Sequence, residues 1–417
     1  MLRRIGLVLL SLSGCTKLLG GQTDMQGKVT TAAAEQGSTA TVPIIFDGDQ
    51  IVIELEAVRP DGSSRKVLAL VNMGQSPPWL KQHLYNELQI DKGRKLVLRL
   101  GDLPIQVDAS VVQTEPDRAD LDRQFGAFFP AHKVEMVLQA GILSNYALIL
   151  DYSNKKLTLT SAGKLHPQGV AVPIRVNART GVAAVTATID GKPFSFVIDC
   201  GSPYSWVRGS AATQWIEAHP NWKRAEGAVG LSNYNMLDYD FEKEGTVLRV
   251  PSVMLGPLAL KDVGLLASGP LLGGFGDRLF GEVFWDSWQE NAPGSVAGWL
   301  GANVLKQYQV TIDYANHMSY WLKRKEGDPN ELDQVGITLV YKSGDYFIGG
   351  VVRKNGQPTE AGLSAGDKIM QVGGQAVHGL AREAVLSALH GTPGESRQIV
   401  VERDGSTIAQ SASVIAF

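Results

Sequence analysis

Cysteine is nearly absent from this chain: Cys15 and Cys200 are the only two in 417 residues. With no C-x-x-C, zinc sites built on paired thiolates are excluded. Seven scattered histidines form no H-E-x-x-H, which removes the usual metallopeptidase arrangement. No G-x-S-x-G elbow presents a nucleophilic serine. Neither sign of charge dominates, with 39 basic against 42 acidic residues and no basic stripe, so nucleic acid is a poor partner. Long apolar runs are lacking too; the one near the N-terminus is too short to span a bilayer as a helix. The Gly-rich "GGFGDRLFG" at 273–281 has neither P-loop nor dinucleotide spacing and reads as a surface loop. Nothing here asks for a metal or a cofactor. What remains is a chain with 44% apolar residues and ample core, long enough for two or three domains.

What is present begins with a leader. "MLRR" supplies positive charge, "IGLVLLSL" a short apolar core, and "LSGC" ends it at Cys15, the pattern of a secretory signal over residues 1–14. A cysteine preceded by Leu12-Ser13-Gly14 resembles a bacterial lipobox. That resemblance implies cleavage before Cys15, acylation of it, and a bacterial envelope protein anchored to the bilayer on the periplasmic face. Thr16 in place of Asp favours the outer membrane. Several acyl chains anchor stably, at roughly 0.8 kcal/mol per buried methylene. Residues 15–40, rich in Gly, Thr, Ala and Gln, read as a tether. With Cys15 lipidated, Cys200 has no intramolecular partner and is tolerated by burial.

The body of the chain repeats itself. "VPIIFDGDQIVIELEAVRPDGSSRKVLALVNMGQSPPWL" starts at Val42 and "VPIRVNARTGVAAVTATIDGKPFSFVIDCGSPYSWV" at Val172. Each gives two β-type runs around a polar turn, Pro60-Asp61-Gly62 or Asp190-Gly191-Lys192, the grammar of a hairpin. Each then ends in an apolar strand, residue-x-Gly, Ser-Pro and Trp. Downstream, "AGILSNYALILDYSNKKLTL" at 140–159 parallels "AGWLGANVLKQYQVTIDYANHMSYWL" at 297–322.

The apolar strand ending Asp199-Cys200-Gly201-Ser202, with the later Trp299-Leu300-Gly301 before "VTIDYANHMSYWL", resembles the retropepsin and pepsin group of aspartic peptidases. It resembles more narrowly bacterial proteins with two such lobes and a C-terminal PDZ domain. The resemblance implies a mainly β, bilobal fold: lobe 1 over 41–164, degenerate, and lobe 2 over 165–325. It also implies catalysis by two aspartates that share a proton, one per lobe. Asp199 fills the position in lobe 2, whereas lobe 1 carries Asn72 there, followed by Met73 and Gly74. Asn matches Asp in shape but neither titrates nor shares a proton; an ordinary, mostly ionised Asp199 is the expectation. Ile142-Leu143-Ser144 reads as lobe 1's version of the Trp299-Leu300-Gly301 landmark. Cys200 stands where the family has a Thr or Ser whose hydroxyl ties the two loops together, so that grip should be loose in lobe 2 and absent at Met73. The extra stretch 226–245 reads either as a flap-like hairpin lid or as a surface loop, and the aromatic stretch 278–294 either lines the cleft or packs.

After a polar linker at 326–334, residues 335–417 hold "PTEAGLSAGDKIMQVGGQAV", which resembles a bacterial PDZ domain. The resemblance implies a carboxylate-binding loop at Val335-Gly336-Ile337 and a peptide added as a strand beside 337–340. The other wall would be an amphipathic helix within 379–391, with Ala384, Val385, Leu386 and Leu389 as its apolar face. A PDZ domain docked on its own body, without a free ligand, is the competing reading. The expected partner is a polypeptide or protein C-terminus. Two functions stay open: peptide-bond hydrolysis through Asp199, or a non-catalytic adaptor or chaperone-like binder using the cleft and the PDZ groove.

Overall fold

The computed structural model describes residues 39–115, 132–235, 245–267, 285–286, 288–342 and 344–417. Cys15 and the 273–281 loop therefore lie outside the described residues, as do 236–244 of the insertion and 278–284 of the aromatic stretch.

Two hairpins with the same plan build the body. Gln50–Val58 pairs with Ser64–Asn72, and Ala183–Ile189 pairs with Lys192–Ile198. The second turns on Asp190 and Gly191, at φ 51° and 70°, the doubly left-handed pair that a two-residue hairpin loop needs. In each case a later strand lies parallel beside the hairpin's second strand. Val134–Gln139 aligns Gln139 with Asn72, and Gly298–Leu300 aligns Leu300 with Ile198. Val134–Gln139 is buried at every position, as a strand covered on both faces must be. The apolar strands thus carry residues 72 and 199 to the same end of their sheets.

The lobes meet in a run of six neighbouring strands within one continuous fifteen-stranded sheet. The order of that run is Thr39–Pro43, Lys156–Thr160, Ala147–Asp151, Tyr308–Asp313, Met318–Lys323 and Val170–Val176, three strands from each lobe. Across the centre, Ala147 faces Asp313, Ile149 faces Thr311 and Asp151 faces Gln309. The offset of 162 that relates Tyr152 to Tyr314 also relates Ile149 to Thr311, so an approximate two-fold axis passes between those two residues. The outer strands obey the same relation: Val42 faces Leu157 as Val172 faces Ser319. A single apolar core, from Ile53 and Leu98 through Leu148 and Val310 to Val263, runs through both lobes.

The C-terminal unit is a sheet in the order Gln334–Val335, Ser406–Ile415, Ser396–Arg403, Lys368–Val372, Asp345–Val351, Ile337–Lys342. Helix Arg382–Leu389 packs on it through Val385, Leu386 and Leu389. Ala384, expected on the apolar face, is exposed, and Arg382 is buried instead. The stretch 326–334 is less of a linker than its polarity suggests. Glu331, Leu332, Asp333 and Gln334 are all buried. The Tyr204 hydroxyl donates to Glu331 Oε1 at 2.9 Å and Arg249 Nη2 donates to the Pro329 carbonyl at 2.9 Å. Lobe 2 supplies the partners of Glu331 and the Pro329 carbonyl, whereas Asp333 accepts the Phe417 N–H at 3.1 Å and Gln334 Nε2 donates to the Ile337 carbonyl at 3.2 Å within the C-terminal unit.

Candidate functional site at the lobe junction

Asn72 and Asp199 come from different lobes and from equivalent strand ends, and their loops interpenetrate. Asp199 is 6% exposed. Its Oδ1 accepts three backbone N–H groups: Gly201 at 2.8 Å, Gly74 at 3.1 Å and Met73 at 3.2 Å. Two of these donors belong to the other lobe. The Gly74 N–H is also 2.9 Å from Asn72 Oδ1, so one donor bridges the two side chains. Close approach, not backbone torsion, demands the glycines. A Cβ on Gly74 would lie 2.5 Å from Asp199 Oδ2, and one on Gly201 would lie 2.6 Å from Asn72 Nδ2.

Burial pushes the Asp199 carboxyl up to about 6, against the opposing pull of those three N–H donors. The expectation of an ordinary carboxylate is thereby corrected. A like-charged neighbour is indeed lacking, but loss of water raises the pKa by itself. Near pH 6 this group is half protonated, able to take or give one proton, and at pH 7 it is still mostly ionised. Its amide neighbour can do neither.

The grip between the loops is one-sided. Cys200 Sγ donates to the Val71 carbonyl at 3.4 Å, while Met73, fully buried, has no proton to return from the other side. Burial, and then the nearby Asp199, push the Cys200 thiol well up, so it stays protonated. Gln50 Nε2, from lobe 1, adds a bond to the Gly201 carbonyl at 2.9 Å.

Trp299-Leu300-Gly301 underlies the Asp199 loop. The Leu300 carbonyl accepts the Asp199 N–H at 3.0 Å, and Trp299 Nε1 donates to Ser202 Oγ at 2.8 Å. Ser202 in turn donates to the Tyr204 carbonyl at 2.6 Å. The counterpart in lobe 1 is Val137-Leu138-Gln139, not Ile142-Leu143-Ser144. Gln139 (φ −106°, ψ 171°) has the backbone of Gly301 (φ −98°, ψ −171°). Ala140 N donates to the Gln75 carbonyl at 2.9 Å just as Ala302 N donates to that of Ser202 at 2.9 Å. Ile142 and Leu143 sit one turn later, in the short helix Ala140–Leu143 that matches Ala302–Leu305. Ungapped comparison backwards from Tyr152 and Tyr314 would have found this.

Those two tyrosines carry more than alignment. Both are buried, their hydroxyls lack a hydrogen-bond partner among the described residues, and burial, with the nearby Asp199 carboxyl, pushes both above the usual phenol range. They form a matched pair beneath the loops.

The described part of the aromatic stretch packs. Trp285 and Trp288 lie on Trp299 with ring centroids at 4.7 and 4.9 Å, and Trp206 stacks on Trp299 from another side. In the insertion, Arg224–Glu226 pairs with the start of Thr246–Leu255 as the base of a hairpin. Its described remainder, 227–235, enters the C-terminal unit.

In the C-terminal unit, Val335 and Ile337 are fully buried and Gly336 packs against Thr359, whose hydroxyl donates to the Gly336 carbonyl at 3.1 Å. The strand beside which a free peptide was expected has one edge amide already taken: Leu339 N donates to Asn233 Oδ1 at 2.7 Å.

Residues 326–402 match the PDZ domain family. No curated protein matches the chain. Among solved structures, the photosystem II D1 C-terminal processing protease is 26% identical over 20% of this chain and 23% of its own, at a TM-score of 0.19. The chain thus spans less than a quarter of that protein. Basic 7S globulin from soybean is 10% identical over 69% of this chain and 96% of its own, at a TM-score of 0.37.

Proposed function

We propose that this protein is a peptide-binding protein whose two-lobed body is an aspartic-peptidase-like cleft that has lost hydrolysis, joined to a PDZ domain. PDZ domains bind peptides, commonly at the C-terminus, by adding them as a strand. The observation that carries the reading is Asn72 opposite Asp199: one carboxyl, cradled by both loops, beside an amide. Aspartic catalysis needs one carboxyl to take a proton from water while the other donates to the substrate carbonyl, and a single chain has only half of that pair. The leader and Leu12-Ser13-Gly14-Cys15 support an acylated Cys15 and a site of action at the bacterial envelope, facing the periplasm.

Hydrolysis is the second reading. It is favoured by the retained Asp199 loop and by a carboxyl lifted to about 6. It requires a second carboxyl from elsewhere, such as a second copy's Asp199. A peptide-library cleavage assay from pH 3 to 7 separates the two, with wild type, Asn72→Asp and Asp199→Ala in parallel. Wild type should cleave little or nothing, and Asn72→Asp should raise turnover by part of the roughly 10²- to 10⁴-fold typical of acid–base assistance. Robust cleavage by wild type, abolished in Asp199→Ala, would overturn the non-hydrolytic reading.

A further inference from the structure

The groove of the C-terminal domain is already filled, and by this chain. Its walls are strand Ile337–Lys342, which ends the sheet, and helix Arg382–Leu389. A peptide in such a groove offers three things: acceptors for the strand's edge, a side chain for the pocket between strand and helix, and main chain for polar groups at the rim. Residues 228–235 of lobe 2 supply all three. Asn233 Oδ1 accepts the Leu339 N–H at 2.7 Å, and the Ala228 carbonyl accepts the Thr338 hydroxyl at 3.1 Å. Tyr234, 6% exposed, belongs to the same apolar cluster as Ile337, Leu339, Leu386 and Leu389. Its carbonyl accepts Arg382 Nη1 at 3.0 Å, which accounts for a buried arginine opening the helix.

The occupant is not a strand. Gly230–Asn235 forms a 3-10 turn, closed by Ser232, whose Oγ accepts the Val229 N–H at 2.8 Å. It meets the edge amide with a side chain rather than zipping along it. Asn233 Nδ2 is buried without a partner among the described residues, so the filled state carries a penalty that a true strand ligand would not. The Tyr234 ring also lies against Gly48 of lobe 1, in the hairpin whose Gln50 holds the Gly201 carbonyl.

We propose that this groove is a latch: residues 228–235 are its resident occupant, with Tyr234 as anchor, and a free peptide enters only by displacing them. The proposal rests on reading the domain as a peptide-binding one. Because apparent affinity falls with the fraction of open groove, releasing the latch should tighten peptide binding about tenfold or more.

The test uses the full chain, wild type and the double variant Asn233→Ala/Tyr234→Ala. Hydrogen exchange is followed over 337–342, 382–389 and 228–235. The binding probe is a fluorescein-labelled octapeptide with three apolar C-terminal residues and a free carboxylate. The latch predicts lost protection over 337–342 in the variant and tighter probe binding. Unchanged protection, or equal probe affinity in wild type and variant, overturns it. Lost protection with no probe binding leaves the latch standing and sinks the peptide-binding reading instead. Should the variant misfold, wild type alone decides: saturating probe must raise exchange at 228–235, and a probe that binds without doing so overturns the latch.

Discussion

Replacing Asp199 by Asn should stabilise the protein at neutral pH and cease to do so in acid. The carboxyl has three backbone donors and, among the described residues, no cation against it, and burial lifts it to about 6 from 3.8. As pH rises through that interval the unfolded chain releases its proton before the folded one does, so ionisation favours unfolding. The penalty is nil below 3.8, grows through the interval and is complete above about 6. A gap of about two units corresponds to about 3 kcal/mol. Asn keeps an Oδ1 that can accept from Gly201, Gly74 and Met73 but has no ionisation to suppress. The stability difference between variant and wild type should therefore widen by up to about 3 kcal/mol between pH 4 and pH 7.5. Urea titrations at pH 4, 5.5 and 7.5 measure it through the lobe-2 tryptophans 206, 285, 288 and 299, which lie together. Parallel curves for variant and wild type would refute the account of Asp199 as a desolvated carboxyl. A gap that narrows with rising pH would show that the N–H cradle outweighs burial.

Two further expectations follow from the same geometry and from the leader. Gly74→Ala and Gly201→Ala should each cost about 1–3 kcal/mol, because the added methyl would collide with the opposite lobe's Asp199 or Asn72; a loss under about 0.5 kcal/mol in urea unfolding would mean the loops are not in contact. Membrane-extracted protein should begin at an acylated Cys15 by mass spectrometry, and Cys15→Ser should release it into the soluble periplasmic fraction; an unmodified Cys15 in the wild type rules this out.

Much of the architecture was legible because it is written twice. The turn at Asp190-Gly191, the apolar strands before residues 72 and 199, and the matched Tyr152 and Tyr314 each have a local physical signature. The features that were misread depend on contacts between distant segments. Lobe 1's second landmark escaped because Gln139 stands where lobe 2 has Gly301, and a search for Gly passes it by. The stretch 326–334 is polar, and only the partners at Tyr204 and Arg249 explain its burial. Asp199's ionisation was judged from its missing partner, whereas desolvation, which no pattern records, decides it. Arg382 in a groove wall makes sense only once the Tyr234 carbonyl is opposite it.

The axis between Ile149 and Thr311 has one more consequence. In a symmetric dimer of identical lobes, any change at the acid position appears on both sides at once, so the centre holds two carboxyls or none. Joining the halves in one polypeptide keeps the two-fold sheet while releasing its centre from that constraint. Here the six central strands still obey the symmetry residue by residue, yet the loops they carry differ: Asn faces Asp, Met faces Cys, Gln stands for Gly. A centre bearing one titratable group, an arrangement forbidden to any exact homodimer, becomes accessible without disturbing the scaffold beneath it.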